Sequence, residues 1–240
     1  MSQLILVVGA GPGLGMSIAR RFGRDGLQVA LVSRNPDRHD GYLAALRDEG
    51  IAATAIAADV VDPEQARAAV ATATDRFGPV DVLYYGPGAV DPTVRPDPIL
   101  TTRPQDLDEA IRTAVRPALD LTALVLPGML ERKTGTLLYV TGLSAVVLLP
   151  VLGALAPASA ALRTYALTLN AALPDTGVYA GALVVGGLIE RGDIHRHAVA
   201  AFGPDAIPTL DPDVMAEAAA ALAADRDRAE IVFDALTPAM

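Results

Sequence analysis

An unbroken apolar run, Leu4–Val8, delivers the chain straight into Gly9-Ala10-Gly11-Pro12-Gly13-Leu14-Gly15. The run is short and does not alternate, so it suits a strand covered on both faces. A helical pattern follows at 17–24. A buried strand, a glycine turn and a helix together form the opening unit of a parallel α/β sheet. The spacing fits GxxxGxG through Gly9, Gly13 and Gly15 rather than GxGxxG. Glycine there permits a tight turn, lets the backbone approach a ligand closely and lets the helix pack on the strand. The helix N-terminus offers N–H groups and a positive dipole end to an anion. A glycine turn without any ligand is the alternative reading of the same residues.

The rest of the chain repeats the alternation. Strands are expected at 29–32, Ala53–Ala57, 80–84, 136–140, 178–185 and 230–233. Helices are expected at 42–49, Pro63–Phe77, 104–132, 159–173 and 213–225, with Asp62 as N-cap and Pro63 at the first position of the third helix. The long helix at 104–132 is expected to bend at Pro117 and near Pro127-Gly128. A loop is expected from the sixth strand to about Pro208. This order predicts one doubly wound, Rossmann-type parallel sheet of about seven strands, with helices on both faces and right-handed crossovers. No break in composition divides residues 1–240, which are read as a single domain.

Two strand ends say what the glycine turn holds. The second strand finishes at Ser33-Arg34, about 20 residues past the glycines, where a dinucleotide fold meets the adenosine ribose. An acidic residue there would accept from the 2′-hydroxyl of NAD; Ser and Arg suit a 2′-phosphate. Arg38 either assists or is a solvated helix charge. The third strand ends in Asp59-Val60, a place to hold the adenine amino group. The reading is a nucleotide site that favours NADP(H) over NAD(H).

Composition removes other chemistries. A net charge of −9 argues against a nucleic-acid partner. With no cysteine there is no disulfide, zinc-thiolate site or cysteine nucleophile. No His/Asp/Glu group has metal-ligand spacing, so no metal is expected, although Asp193 and His195 lie close together. Residues 134–162 are 29 positions without a charge, long enough to span a bilayer. The glycines and prolines inside the stretch make it strand, loop and helix start instead. The N-terminus lacks a basic segment, and a cytoplasmic protein with no membrane partner is expected. Of the 19 basic residues only Lys133 is lysine, and no tyrosine has a lysine four positions on.

The sequence resembles the short-chain dehydrogenase/reductase family over nearly its whole length. The resemblance rests on the Gly9 to Gly15 pattern, Asp59-Val60 and Val80-Asp81-Val82-Leu83. It continues through Leu126-Pro127-Gly128-Met129, Gly135-Thr136-Leu137-Leu138 and Ala160-Ala161-Leu162. It implies a Rossmann-type fold, a nicotinamide cofactor and, for most members, an Asn/Ser/Tyr/Lys tetrad that moves a proton as hydride is transferred. Those four positions fall on Arg116, Gly142, Leu155 and Ser159, so no catalytic residue is assigned. Tyr165 lies ten residues beyond the tyrosine position, roughly 15 Å along a helix. Thr141 and Ser144 flank the serine position and are read as ligand-facing or as ordinary loop hydroxyls. The helix after the fifth strand is expected to begin near Pro157. Arg116 pairs either with an anionic ligand or with Asp120.

The resemblance adds cofactor contacts at Gly86 and Gly88, where a family Asn-Asn-Ala-Gly segment falls on Tyr85-Gly86-Pro87-Gly88. It adds another at Ile189, in the aliphatic position after Gly186-Gly187. The region 187–210 becomes a substrate loop, and His195 and His197 are read either as an acid or base near neutral pH or as loop histidines without function. Leu143, Val146, Val147, Leu148, Leu149 and Leu155 are expected to line a pocket for a small apolar ligand. The expected function is NADP(H) binding with redox chemistry that uses a non-standard proton donor. A redox-silent sensor or scaffold and a non-redox cyclase or isomerase are the alternatives. The long helix and the helix after the fifth strand predict a homodimer or homotetramer.

Overall fold

The computed structural model describes residues 3–87, 96–204 and 206–236. Its strands are β1 (Leu4–Val8), β2 (Gln28–Ser33), β3 (Ala53–Ala57), β4 (Val80–Tyr85), β5 (Gly135–Gly142), β6 (Val178–Gly186), β7 (Leu188–Ile189), β8 (Thr209–Leu210) and β9 (Glu230–Asp234). Its α-helices are α1 (Leu14–Arg24), α2 (His39–Asp48), α3 (Pro63–Phe77), α4 (Pro104–Ala110), α5 (Arg116–Arg132), α6 (Leu155–Ala172), α7 (Asp193–Phe202) and α8 (Pro212–Asp225). Seven strands form one sheet in the order β3-β2-β1-β4-β5-β6-β9, and every adjacent pair is parallel. β7 and β8 form a separate parallel ladder.

The apolar runs explain the layering. β1 is buried along its whole length because both faces are covered. One face packs residues such as Leu6, Leu83, Leu121, Met129 and Leu162 against α3, α5 and α6. The other packs Ile5, Val7, Ile18, Leu138 and Met215 against α1 and α8. The strand order reverses between β1 and β4, and the carboxyl ends of Val8, Val32 and Tyr85 lie in register there.

Several expected boundaries move, each for a physical reason. α1 starts at Leu14 rather than 17, because the glycine turn itself supplies the helix N-cap at Gly13. α6 starts at Leu155, ahead of Pro157. Pro157 then occupies the third helical position, where a backbone N–H has no partner inside the helix. The break in 104–132 lies at a π turn, Ile111–Val115, not at Pro127, which α5 accommodates. Pro117 stands two positions past the π turn's last residue, as the second residue of α5. Its missing N–H removes one rung of the ladder, and Tyr85 Oη donates to the Ala114 carbonyl at 3.0 Å. The expected loop to Pro208 contains α7, which Gly192 begins and Gly203 ends, and whose Ala198 is buried.

The uncharged stretch 134–162 divides into β5, two 3-10 turns and the first part of α6. Among the described residues, the helical stretch Pro104–Arg132 is long and apolar enough to cross a bilayer by composition alone. Here it carries the π turn, and Leu121, Val125 and Met129 are buried against the sheet.

Candidate nucleotide site

The reversal of strand order opens a crevice between the carboxyl ends of β1 and β4, the usual ligand position in an open parallel sheet. A cavity of about 680 Å³ lies there. Its walls include Gly9, Gly11, Pro12, Gly13, Leu14 and Gly15, then Ser33 and Arg34, Asp59 and Val60, Gly86, and Ile189. These residues come from five separate parts of the sequence and face one space. Gly88, also expected in this group, lies outside the described residues.

The turn is tight for steric reasons. The Gly9 and Ala10 N–H groups both donate to the Val32 carbonyl at 3.0 Å. Gly9 has φ +93°, and a Cβ on it would come within 2.6 Å of the Gly86 backbone. A Cβ on Gly15 would meet the Gly9 carbonyl oxygen at 2.5 Å. Gly11 differs: a Cβ there meets nothing nearer than 4.0 Å. Packing inside the protein therefore accounts for Gly9 and Gly15, while Gly11 keeps a strip of backbone bare toward the cavity. α1 then starts with no acidic residue in its first turn and no side-chain cap. Its N-terminal dipole is left for an anion.

At the β2 end the two expected residues separate in role. Ser33 lines the cavity, but its hydroxyl donates to the Asn35 carbonyl at 3.1 Å and sits 2.8 Å from His39 Nε2. Burial holds His39 below the usual imidazole range, which fits a neutral ring donating from Nε2 to Ser33. Arg34 is exposed and forms no hydrogen bond or ion pair with the described residues. Arg38 is neither free nor merely solvated. It pairs with Asp193 of α7 at 2.8 Å, and this hydrogen-bonded carboxylate raises its pKa. The Asp193 carboxyl is correspondingly held below the usual range, by Arg38 first. Asp59 Oδ1 accepts from the Val61 N–H at 3.1 Å, which fixes the carboxylate at the cavity wall.

The far end of the cavity is less polar. Val140, Val185, Ile189 and the ring of Tyr84 line it. Burial pushes the Tyr84 hydroxyl well above its usual range, so it holds its proton. Beyond them stand the residues to which the family resemblance gave catalytic positions. A Cβ on Gly142 would lie 3.2 Å from Ser159 Oγ and 3.5 Å from Ser144 Oγ, so both hydroxyls flank the notch left by that glycine. Thr141 is committed elsewhere, donating to the Ser159 carbonyl at 2.9 Å. Ser144 Oγ is buried and has no hydrogen-bond partner among the described residues. Arg116 is exposed at the start of α5, and no ion pair to Asp120 forms among the described residues. Tyr165 faces Tyr139 edge-on across 5.8 Å, inside the packing between α6 and the sheet.

None of the six residues expected to line an apolar pocket lies on this cavity's wall. The 3-10 turn Leu143–Ala145 points Leu143 and Ser144 inward and sends the following residues outward. Leu148 is 92% exposed, and Val146 and Val147 are exposed with it. Sequence reasoning also missed Thr113, Tyr84 and Asp193 as cavity residues. Only Asp193 carried a signal, a carboxylate just after Arg191-Gly192, and it was weighed there as a metal ligand.

Fold and crevice are those of a Rossmann-type α/β protein. The short chain dehydrogenase profile matches residues 3–192. A short chain dehydrogenase of Pseudocercospora fijiensis (strain CIRAD86) is 32% identical over 181 residues, which are 74% of this chain and 57% of that protein. The chain thus spans little more than half the length of this relative. Among solved structures, a metagenomic short-chain oxidoreductase in complex with NADP superposes with a TM-score of 0.78 at 22% identity, covering 100% of this chain and 99% of the other. An actinorhodin polyketide ketoreductase with NADPH superposes at 0.80 and 24% identity, covering 98% and 95%. The chain belongs to the short chain dehydrogenase family.

Proposed function

We propose that this chain binds NADP(H) and acts as an oxidoreductase on a small apolar substrate that needs little acid assistance, such as a conjugated enone or a quinone. One observation carries the reading: the glycine turn, Arg34, Asp59 and Ile189 all face one cavity, and among the described residues Arg34 is the cation on its wall without a partner. The fit is steric as well as electrostatic, since Gly11 leaves backbone bare where a pyrophosphate would approach. Solved structures of the same fold in complex with NADP and with NADPH support the same choice of cofactor.

When bound, the nicotinamide group supplies the hydride. The chain's own residues do the rest. The loop and the N-terminus of α1 hold the pyrophosphate, Arg34 the 2′-phosphate and Asp59 the adenine amino group. Val140, Val185 and Ile189 keep the nicotinamide end dry. No ionisable side chain stands at Gly142, Leu155 or Ser159, so a substrate whose reduced form needs a strong acid is disfavoured. That observation also favours a second reading, a redox-silent protein that only binds the nucleotide. Association as a homodimer or homotetramer belongs to the proposal, because Leu119 and Leu130 of α5 remain partly exposed. Light scattering should give a mass of two or four chains, and a monomer refutes this part.

NADPH at a hundred times its dissociation constant should stabilise the protein by about 2.7 kcal/mol. That raises the unfolding midpoint by about 5–10 °C for a chain of this size. No shift with either NADPH or NADH would reject every nucleotide-dependent reading. Turnover is then decided by NADPH oxidation across a panel of apolar ketones, enones and quinones. Oxidation with enones or quinones supports the oxidoreductase reading, whereas binding without oxidation of any member leaves the redox-silent one.

A further inference from the structure

Arg38 and Asp193 stand on opposite walls of the cavity, 155 residues apart, and meet across its mouth. Both side chains are about half exposed, so water and a ligand can reach them. Asp193 opens α7 and has a second cation, Arg196, within hydrogen-bonding reach one turn on. Arg34 lines the same wall as Arg38 and has no described partner. The remaining acid on that wall, Asp37, is occupied by Asn35, whose Nδ2 donates to it at 2.9 Å.

A phosphate monoester carries roughly two negative charges near neutral pH, and one guanidinium balances only one of them. Arg38 is the next cation along the wall; the exposed Asp193 carboxylate is its one ion-pair partner among the described residues, with the Tyr42 hydroxyl beside it. Such a pair is weak enough for a dianion to displace. The displacement strands no charge, because Asp193 retains Arg196. We propose that Arg38 exchanges partners: it binds Asp193 when the cavity is empty or holds NAD(H), and turns to the 2′-phosphate when NADP(H) enters. Asp193 is then a specificity-determining residue, since it competes with the 2′-phosphate and with nothing on NAD(H). The exchange also frees α7 from the α2 wall only when the phosphorylated cofactor is bound. The inference rests on the NADP(H) reading above.

The test is a cycle of dissociation constants for NADPH and NADH at one ionic strength, in the wild type, Asp193→Asn, Arg38→Ala and the double variant. Asp193→Asn should tighten NADPH binding about two- to fivefold, the equivalent of an exposed ion pair, and leave NADH unchanged. In the Arg38→Ala background the same change should have no effect on NADPH. Limited proteolysis within 193–202 should be faster with NADPH bound than with NADH bound, and this difference should vanish in Asp193→Asn. Equal shifts for both nucleotides, weaker NADPH binding by Asp193→Asn, or an effect that persists without Arg38 would each overturn the exchange. A wild type that binds neither nucleotide rejects the NADP(H) reading itself. A wild type that binds NADPH, with the Asp193→Asn ratio unchanged, rejects only the exchange.

Discussion

Arg34→Ala is expected to weaken NADPH binding by roughly 10- to 100-fold and to leave NADH binding within a factor of about two. Hydrogen bonds to a charged group are worth about 1.5–3 kcal/mol, and each 1.4 kcal/mol is a factor of ten. The full effect should be visible because Arg34 has no described partner to leave behind when it is removed. Ser33 offers no easy replacement, since its hydroxyl is already engaged by Asn35 and His39. Isothermal titration with both nucleotides decides the matter. A parallel loss for NADPH and NADH would mean that Arg34 shapes the site without reading the phosphate.

Gly15→Ala should lower the unfolding midpoint by about 4–8 °C, whereas Gly11→Ala should leave it almost unmoved. Alanine is favoured over glycine inside a helix by about 1 kcal/mol, so propensity alone predicts a gain at Gly15. The clash opposes it: the new methyl would sit 2.5 Å from the Gly9 carbonyl oxygen and 3.1 Å from Ala10 Cα. Both are backbone atoms of the tight turn and cannot swing away. Overpacking of this kind costs about 1–3 kcal/mol; at the upper end, where only backbone can yield, the net loss is about 2 kcal/mol. Gly11 has open space instead, so its substitution should act on ligand affinity rather than on folding. Differential scanning calorimetry of the two variants separates them. Equal midpoints would show that the turn is more compliant than its geometry implies.

The architecture was legible because it depends on patterns that survive without tertiary knowledge. Buried parallel strands such as Leu4–Val8 must be apolar throughout, and a proline at the first helical position, as at Pro63, marks a start. The cavity wall made by the glycine turn and the ends of β2 and β3 was legible for the same reason, as its residues sit at fixed offsets from strand ends. The part beyond Gly142 was not. Whether residues after Gly142 face inward or outward is settled by a 3-10 turn, and nothing in an apolar run such as Val146-Val147-Leu148 distinguishes a pocket wall from an exposed surface. The Arg38–Asp193 pair was invisible because it joins positions 155 apart that only the finished sheet brings together. The bend in 104–132 falls beside Pro117, as expected, and not at Pro127, which α5 accommodates. A proline shows where a hydrogen bond is lost, not where the helix will absorb the loss.

The two-residue ladder of β7 and β8 has a consequence for how this family member can change. It clamps both ends of the segment that carries α7 into one stem. The entropy of closing that segment is borne at the stem and grows only slowly with length, by about 0.6 kcal/mol per doubling. Material can therefore be added or removed after α7, between Phe202 and Thr209, with little penalty to the sheet beneath. That stretch is, in effect, a replaceable cassette, whose length and chemistry can drift while Ile189, Gly192 and Asp193 keep their places on the cavity wall.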